Sequence, residues 1–430
     1  MSESSESWRP ATSCGSFPLM RLLGVYRYAL DARRVAMAFL AIALIAIVGK
    51  ALDTTWLTFG YGEKAGISTQ GAIGSARSGP FATLVAYEAR CVGEVMRGAW
   101  SGHWGADGDE HASVIGGALH AMRGIRTLIA KYPFFAILFF GASLVALGLC
   151  GGAICRSAVC EMGCDRVISV GEAIDFAKAR LSGLVMPVVT VALLTAGLLG
   201  ALWLWGLVFG WLSSICAGGL FLIVFALLFG VSLLIGFIAA TMAILTMVGF
   251  PLIWPAVAAE GSGGADALSR AIGFLTTRPG LVLASWLILL ILGGVAITGA
   301  RLVGSATLNL THATVGARMS ALDEMWAMPE RSGWLPDPDV GPFWGDFPPT
   351  DSTARRGAQG LIKIWVFCVV GLVAAYCLSF WMCGASQAYL LIRRSIDGVD
   401  CEDIFDDNPP AGVTDVSTAT TPPSGEGATD

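Results

Sequence analysis

The chain has 430 residues, 55% of them hydrophobic and only 14% charged, with a mean hydropathy of +0.69. A soluble domain carries roughly 25% charged residues, so the composition points to a polytopic membrane protein. The net charge of −5 leaves no basic excess, which argues against nucleic acid as a partner.

Residues 1–34 hold five arginines and three acids and are predicted to form an N-terminal segment with an interfacial helix. The first apolar segment starts at residue 35 and lacks a small-residue cleavage site, so it reads as an uncleaved span. Six spans are predicted, at 35–52, 133–154, 184–209, 220–244, 281–302 and 361–383. Each is long enough to cross the ~30 Å hydrocarbon core. Each must be helical, because lipid offers the backbone no hydrogen-bond partner. Together they define a six-helix transmembrane domain over 35–392, with loops 53–132 and 303–360 on one side. The fold class is therefore all-α: a membrane helix bundle with amphipathic interfacial helices and a small helical cap.

The fourth apolar run carries no charge from residue 220 to residue 250, longer than a crossing needs. Gly249, Pro251 and Pro255 predict a crossing to about Ile244, then a kinked or membrane-dipping piece to Glu260. One long tilted helix is the alternative. Orientation follows the Lys/Arg bias at span ends. Arg21, Arg27, Arg33 and Arg34 precede span 1, and Arg166, Lys178 and Arg180 precede span 3. Both termini are thus expected in the cytoplasm, and the protein in a cell inner membrane.

Several pieces outside the spans are amphipathic. Phe81, Val85, Ala89, Val92 and Met96 form one stripe; Ile115, Leu119, Met122, Ile125 and Ile129 form a second. Val315, Met319, Leu322 and Trp326 form a third. Between spans 2 and 3, Val170, Ile174, Ala177, Leu181 and Leu184 share a face. After Glu260, a GSGG run precedes Asp266, a candidate helix cap, and a helix carrying Leu268, Ile272 and Leu275. The last two pieces suggest a repeat of helix plus span. Residues 328–351 are rich in Pro, Trp, Phe and Asp and are expected to be irregular, ordered by Trp334, Phe343, Trp344 and Phe347. Residues 393–430 carry nine acids against two arginines and read as a largely disordered acidic tail.

All 32 acidic residues fall outside the six predicted spans. Intramembrane carboxylates mark proton and ion pathways, so ion-coupled transport is disfavoured. Lys50, Arg301 and Lys363 touch span boundaries and can snorkel. His103, Asp107, Asp109 and His111, with Glu110, form a candidate metal set, against the alternative of a solvated polar turn. Arg123, Arg126 and Lys131, with His120, flank the second stripe and are candidate lipid-headgroup contacts. Cys150, Cys155, Cys160 and Cys164 lack CxxC spacing and read as small packed residues. His312 reads as a satisfied polar group rather than a base. Gly148–Gly152 and Gly206–Gly210 are small-xxx-small pairs suited to close helix packing. Trp203, Trp205 and Trp211 suit an interfacial aromatic belt. No nucleophile elbow, zinc-protease, Walker or dinucleotide motif occurs, so no catalytic residue and no cofactor is assigned.

Three stretches carry a resemblance: GGAICRSA at 151–158, AEGSGGADALSRAIGFLTTRPG at 259–280 and YLLIRRSIDGVD at 389–400. Together they resemble an uncharacterised family of bacterial six-span inner-membrane proteins, over about residues 20–405. The resemblance implies topology and a bacterial inner membrane and brings no activity. The expected function is a non-enzymatic membrane component that binds lipid or a protein partner, including a second copy of itself. A permease or export component for an apolar or neutral solute is the alternative.

Overall fold

The computed structural model describes residues 22–58, 79–105, 113–215, 219–328, 344–350, 352–399 and 404–405. It is an all-α bundle. The helices in chain order are α1 (Val25–Ala29), α2 (Ala32–Thr58), α3 (Pro80–Ser101), α4 (Val114–Lys131), α5 (Pro133–Cys164) and α6 (Val170–Ala179). Then come α7 (Leu181–Ile215), α8 (Gly219–Glu260), α9 (Gly264–Thr277), α10 (Pro279–Gly316) and α11 (Thr353–Asp397). Six of them, α2, α5, α7, α8, α10 and α11, are long and apolar enough to cross a membrane. The chain is a multi-pass membrane protein. The short helices α1, α6 and α9 lie at the end of the bundle shared by the first and last described residues, here the terminal end. The α3–α4 hairpin occupies the far end.

The fourth span differs from the expected break. Helix α8 runs 42 residues without interruption, with Pro251 and Pro255 inside it. Each proline removes one donor, and two missing bonds do not dismantle a helix whose other backbone groups have no water to turn to. What changes at the prolines is burial. Leu227, Phe237 and Met247 are 81%, 69% and 71% exposed, whereas Leu252 and Ala256 through Ala259 are fully buried. Helix α8 packs on α7, α9, α5 and α11, and its first part is largely exposed.

The main core sits at the terminal end and joins α1, α2, α5, α6, α7, α8, α9, α10 and α11. Small residues bring the helices close. A Cβ on Gly152 would lie 2.5 Å from Leu184, which places α5 hard against α7. By contrast, among the described residues nothing lies within 4 Å of a Cβ built on Gly206 or Gly210. The first glycine pair therefore packs within the bundle, and the second meets no described neighbour. A smaller cluster of Leu84, Leu128, Phe135 and Phe139 fixes the α3–α4 hairpin to α2 and α5.

Two sequence expectations need correction. The third stripe is not a separate helix: α10 continues to Gly316 and a single 3-10 turn, Ser320–Leu322, follows. Leu322 and Trp326 are buried while Val315 and Met319 are exposed, and the Trp326 indole donates to Trp344 O (2.8 Å). Asp266 is not the cap of α9: Gly263 is, without a side-chain bond, and Asp266 sits in the first turn, where a negative charge meets the positive helix end. The helix-plus-span units α6–α7 and α9–α10 are both present.

Candidate functional sites at the two ends of the bundle

The terminal end concentrates buried charge. The last four carbonyls of a helix lack intrahelical partners, and in α8 three of them are met from outside. Val257 O accepts from Gly261 N (2.9 Å), Ala258 O from Arg156 Nη1 (2.9 Å) and Ala259 O from Phe405 N (2.8 Å). Gly261 takes a positive φ of 60°, which ends the helix. Arg156 is buried, and its guanidinium also stacks on the Phe176 ring at 4.5 Å. Glu260, the final residue of α8, has a side chain only 8% exposed. It pairs with Arg270 of α9 (2.9 Å) and Arg393 of α11 (3.5 Å) and accepts from the Tyr389 hydroxyl. Asp397 adds a second acid 3.6 Å from Arg270.

The end of α5 is built the same way. Arg34 is fully buried; it donates to Ser157 O (3.2 Å) and Tyr28 O (2.8 Å) and pairs with Glu161. Asp165 closes the helix in the left-handed region at φ 51°. Glu161 and Glu260 thus lie inside the long helices, beyond the bounds of the predicted spans and at the helix ends. Helix α6 opens with a capping box between Ser169 and Glu172, and those hydrogen bonds from Ser169 hold the Glu172 carboxyl below its usual range. Sequence reasoning named none of Arg34, Arg156, Glu260, Tyr389 or Arg393 as a site residue. Arg156, the 259–280 stretch and the 389–400 stretch converge on the Glu260 cluster. A cleft of about 700 Å³ lies beside it between α7 and α9, lined by Arg180, Met186, Pro187, Ser262 and Leu268 among others.

At the far end, α3 and α4 pack through glycines. A Cβ on Gly117 would lie 2.8 Å from Val95, and one on Gly98 would lie 2.5 Å from the Ser113 backbone. This choice of face leaves the apolar stripe of α4 uncovered: Ile115, Leu119, Met122, Ile125 and Ile129 are 39–57% exposed. Arg123, Arg126 and Lys131 are exposed on the same helix. His120 lies on the buried side and contacts Glu94 Oε2 at 2.9 Å. Asp53 of α2 holds the start of α3 by accepting from Phe81 N (2.8 Å) and Ala82 N (3.0 Å).

Of the candidate metal set, His103 is exposed and bonds to Ser101 Oγ (2.8 Å). Asp107, Asp109, Glu110 and His111 lie outside the described residues, as do Trp334 and Phe343. Among the described residues no group of three His, Cys, Asp or Glu side chains could hold a metal ion. His312 is satisfied between Trp326 O (2.9 Å) and Asp323 (3.1 Å). Cys150, Cys155 and Cys160 are buried thiols. Trp203 and Trp211 are 67% and 65% exposed near one end of α7. No family model, no curated protein and no solved structure matches the chain.

Proposed function

We propose that this is a non-enzymatic component of a bacterial inner membrane that binds lipid at its outer surface through the α3–α4 hairpin. The observation that carries the reading is the uncovered stripe of α4 beside exposed Arg123, Arg126 and Lys131. A helix with one apolar face and flanking cations lies in the plane of the interface, its apolar side among acyl chains and its cations on phosphates. Helix α4 passes into span α5 across Tyr132 and Pro133, so it lies where span and surface meet. The arginines of the terminal end support a cytoplasmic placement of both termini. The resemblance noted above supports the bacterial inner membrane.

The test is phospholipid retention through detergent purification, with Arg123 and Arg126 both changed to Ala. The variant is expected to keep at most half of the bound anionic lipid. Unchanged retention overturns the reading. Reporter tags at both ends should respond as cytoplasmic; opposite responses overturn the topology.

A further inference from the structure

Among the described residues, Glu88 of α3 has no counter-charge in an ion pair with it. Its Oε1 is buried and has no hydrogen-bond partner among the described residues. It is pressed against Gly124 of α4, where a Cβ would lie 3.0 Å from it. The groups around it are identifiable. On α3, Tyr87 and Cys91 feel its charge, and Arg90 is on the exposed side. Glu94 is engaged with His120 across the hairpin. From α4, Gly124 offers only backbone, Arg123 and Arg126 are exposed, and Lys131 lies at the helix end. From α2, Asp53 and Lys50 lie near the first turn of α3, about two turns before Glu88.

We propose that Glu88 is a proton-controlled latch in the α3–α4 hairpin: a neutral carboxyl lets the two helices close over it, and an ionised one drives them apart. Burying an unpaired carboxylate is costly, and the cost vanishes when it takes a proton. Burial pushes the Glu88 carboxyl up from 4.5 to about 7. The closed state binds the proton more tightly than the open state. Closure is therefore fully supported at acid pH and loses support as pH rises through about 7. With these values the open population grows up to about tenfold between pH 6 and pH 8. The latch acts on the hairpin assigned above to the bilayer surface, and its functional consequence rests on that reading. Its test has a separate readout.

Cys91 supplies that readout, because it is 2% exposed in the closed hairpin, one turn from Glu88. The full chain in lipid nanodiscs is alkylated with N-ethylmaleimide at pH 6, 7 and 8, and Cys91 modification is read by mass spectrometry. Dividing the wild-type rate by that of Glu88→Gln cancels the intrinsic pH dependence of the thiol. The ratio is expected to rise several-fold to about tenfold from pH 6 to pH 8. Imidazoles titrate in the same range, so His120→Gln is the control and should retain the rise. A flat ratio overturns the latch. So does a rise that survives Glu88→Gln and disappears in His120→Gln. Lipid retention by the Arg123/Arg126 variant tests the surface independently.

Discussion

Arg34 and Arg156 are buried and neutralised differently: Arg34 pairs with the Glu161 carboxylate, whereas Arg156 meets the carbonyl end of α8. Arg156 donates to Ala258 O in the final turn of α8, where the aligned peptide dipoles leave partial negative charge. Glu260 inverts the situation: a carboxylate at a helix C-terminus is disfavoured by that dipole and persists because Arg270 and Arg393 close on it. Removing one partner of such a cluster strands the others. Glu260→Ala is expected to destabilise the protein by about 3 kcal/mol, read as a fall in thermal midpoint by fluorescence-detected size exclusion. Ser169→Ala removes one half of the capping box of α6 and should cost only about 1 kcal/mol in the same assay. Equal effects would contradict the ranking of buried charge over an exposed cap.

At the scale of elements, two glycine pairs with the same spacing have different surroundings. Gly152→Leu forces a side chain into Leu184 and is expected to prevent recovery of folded protein. Gly206→Leu meets no described neighbour and should leave thermal stability within about 0.5 kcal/mol. Comparable loss in both would overturn the distinction. The sequence alone could not make it, because GxxxG reports that close approach is possible and not where a neighbour stands. The spans themselves were legible, since an uncharged run in lipid has one solution. The amphipathic stripes of α3 and α4 were legible too, but their destination was not. In α4 the glycine face won the contact with α3 and left the apolar face outside, contrary to what a soluble helix would do. The continuity of α8 through two prolines was held only as the alternative for a related reason: breakers weigh more in water than in a bilayer.

Across the whole molecule, packing is uneven. The terminal end holds a dense core, while the middle of α7 and of α8 pack on each other and leave their other sides exposed. Brominated lipids should quench Trp203 and Trp211 strongly and Trp254 and Trp286 weakly, read on single-Trp variants. Equal quenching would mean that the α7–α8 pair is covered, as it would be in a tight oligomer.

The return of the chain at Phe405 has a consequence for truncation. Its amide meets Ala259 O, and its ring lies against Gly261 and beneath the Arg180 guanidinium at 5.1 Å. A stop codon placed after residue 408 keeps this plug. One placed after residue 403 uncaps the end of α8 and bares the ring-sized space over Gly261. Two shortened proteins that differ by only five residues should therefore part company: the longer keeps the wild-type melting temperature and the shorter loses several degrees.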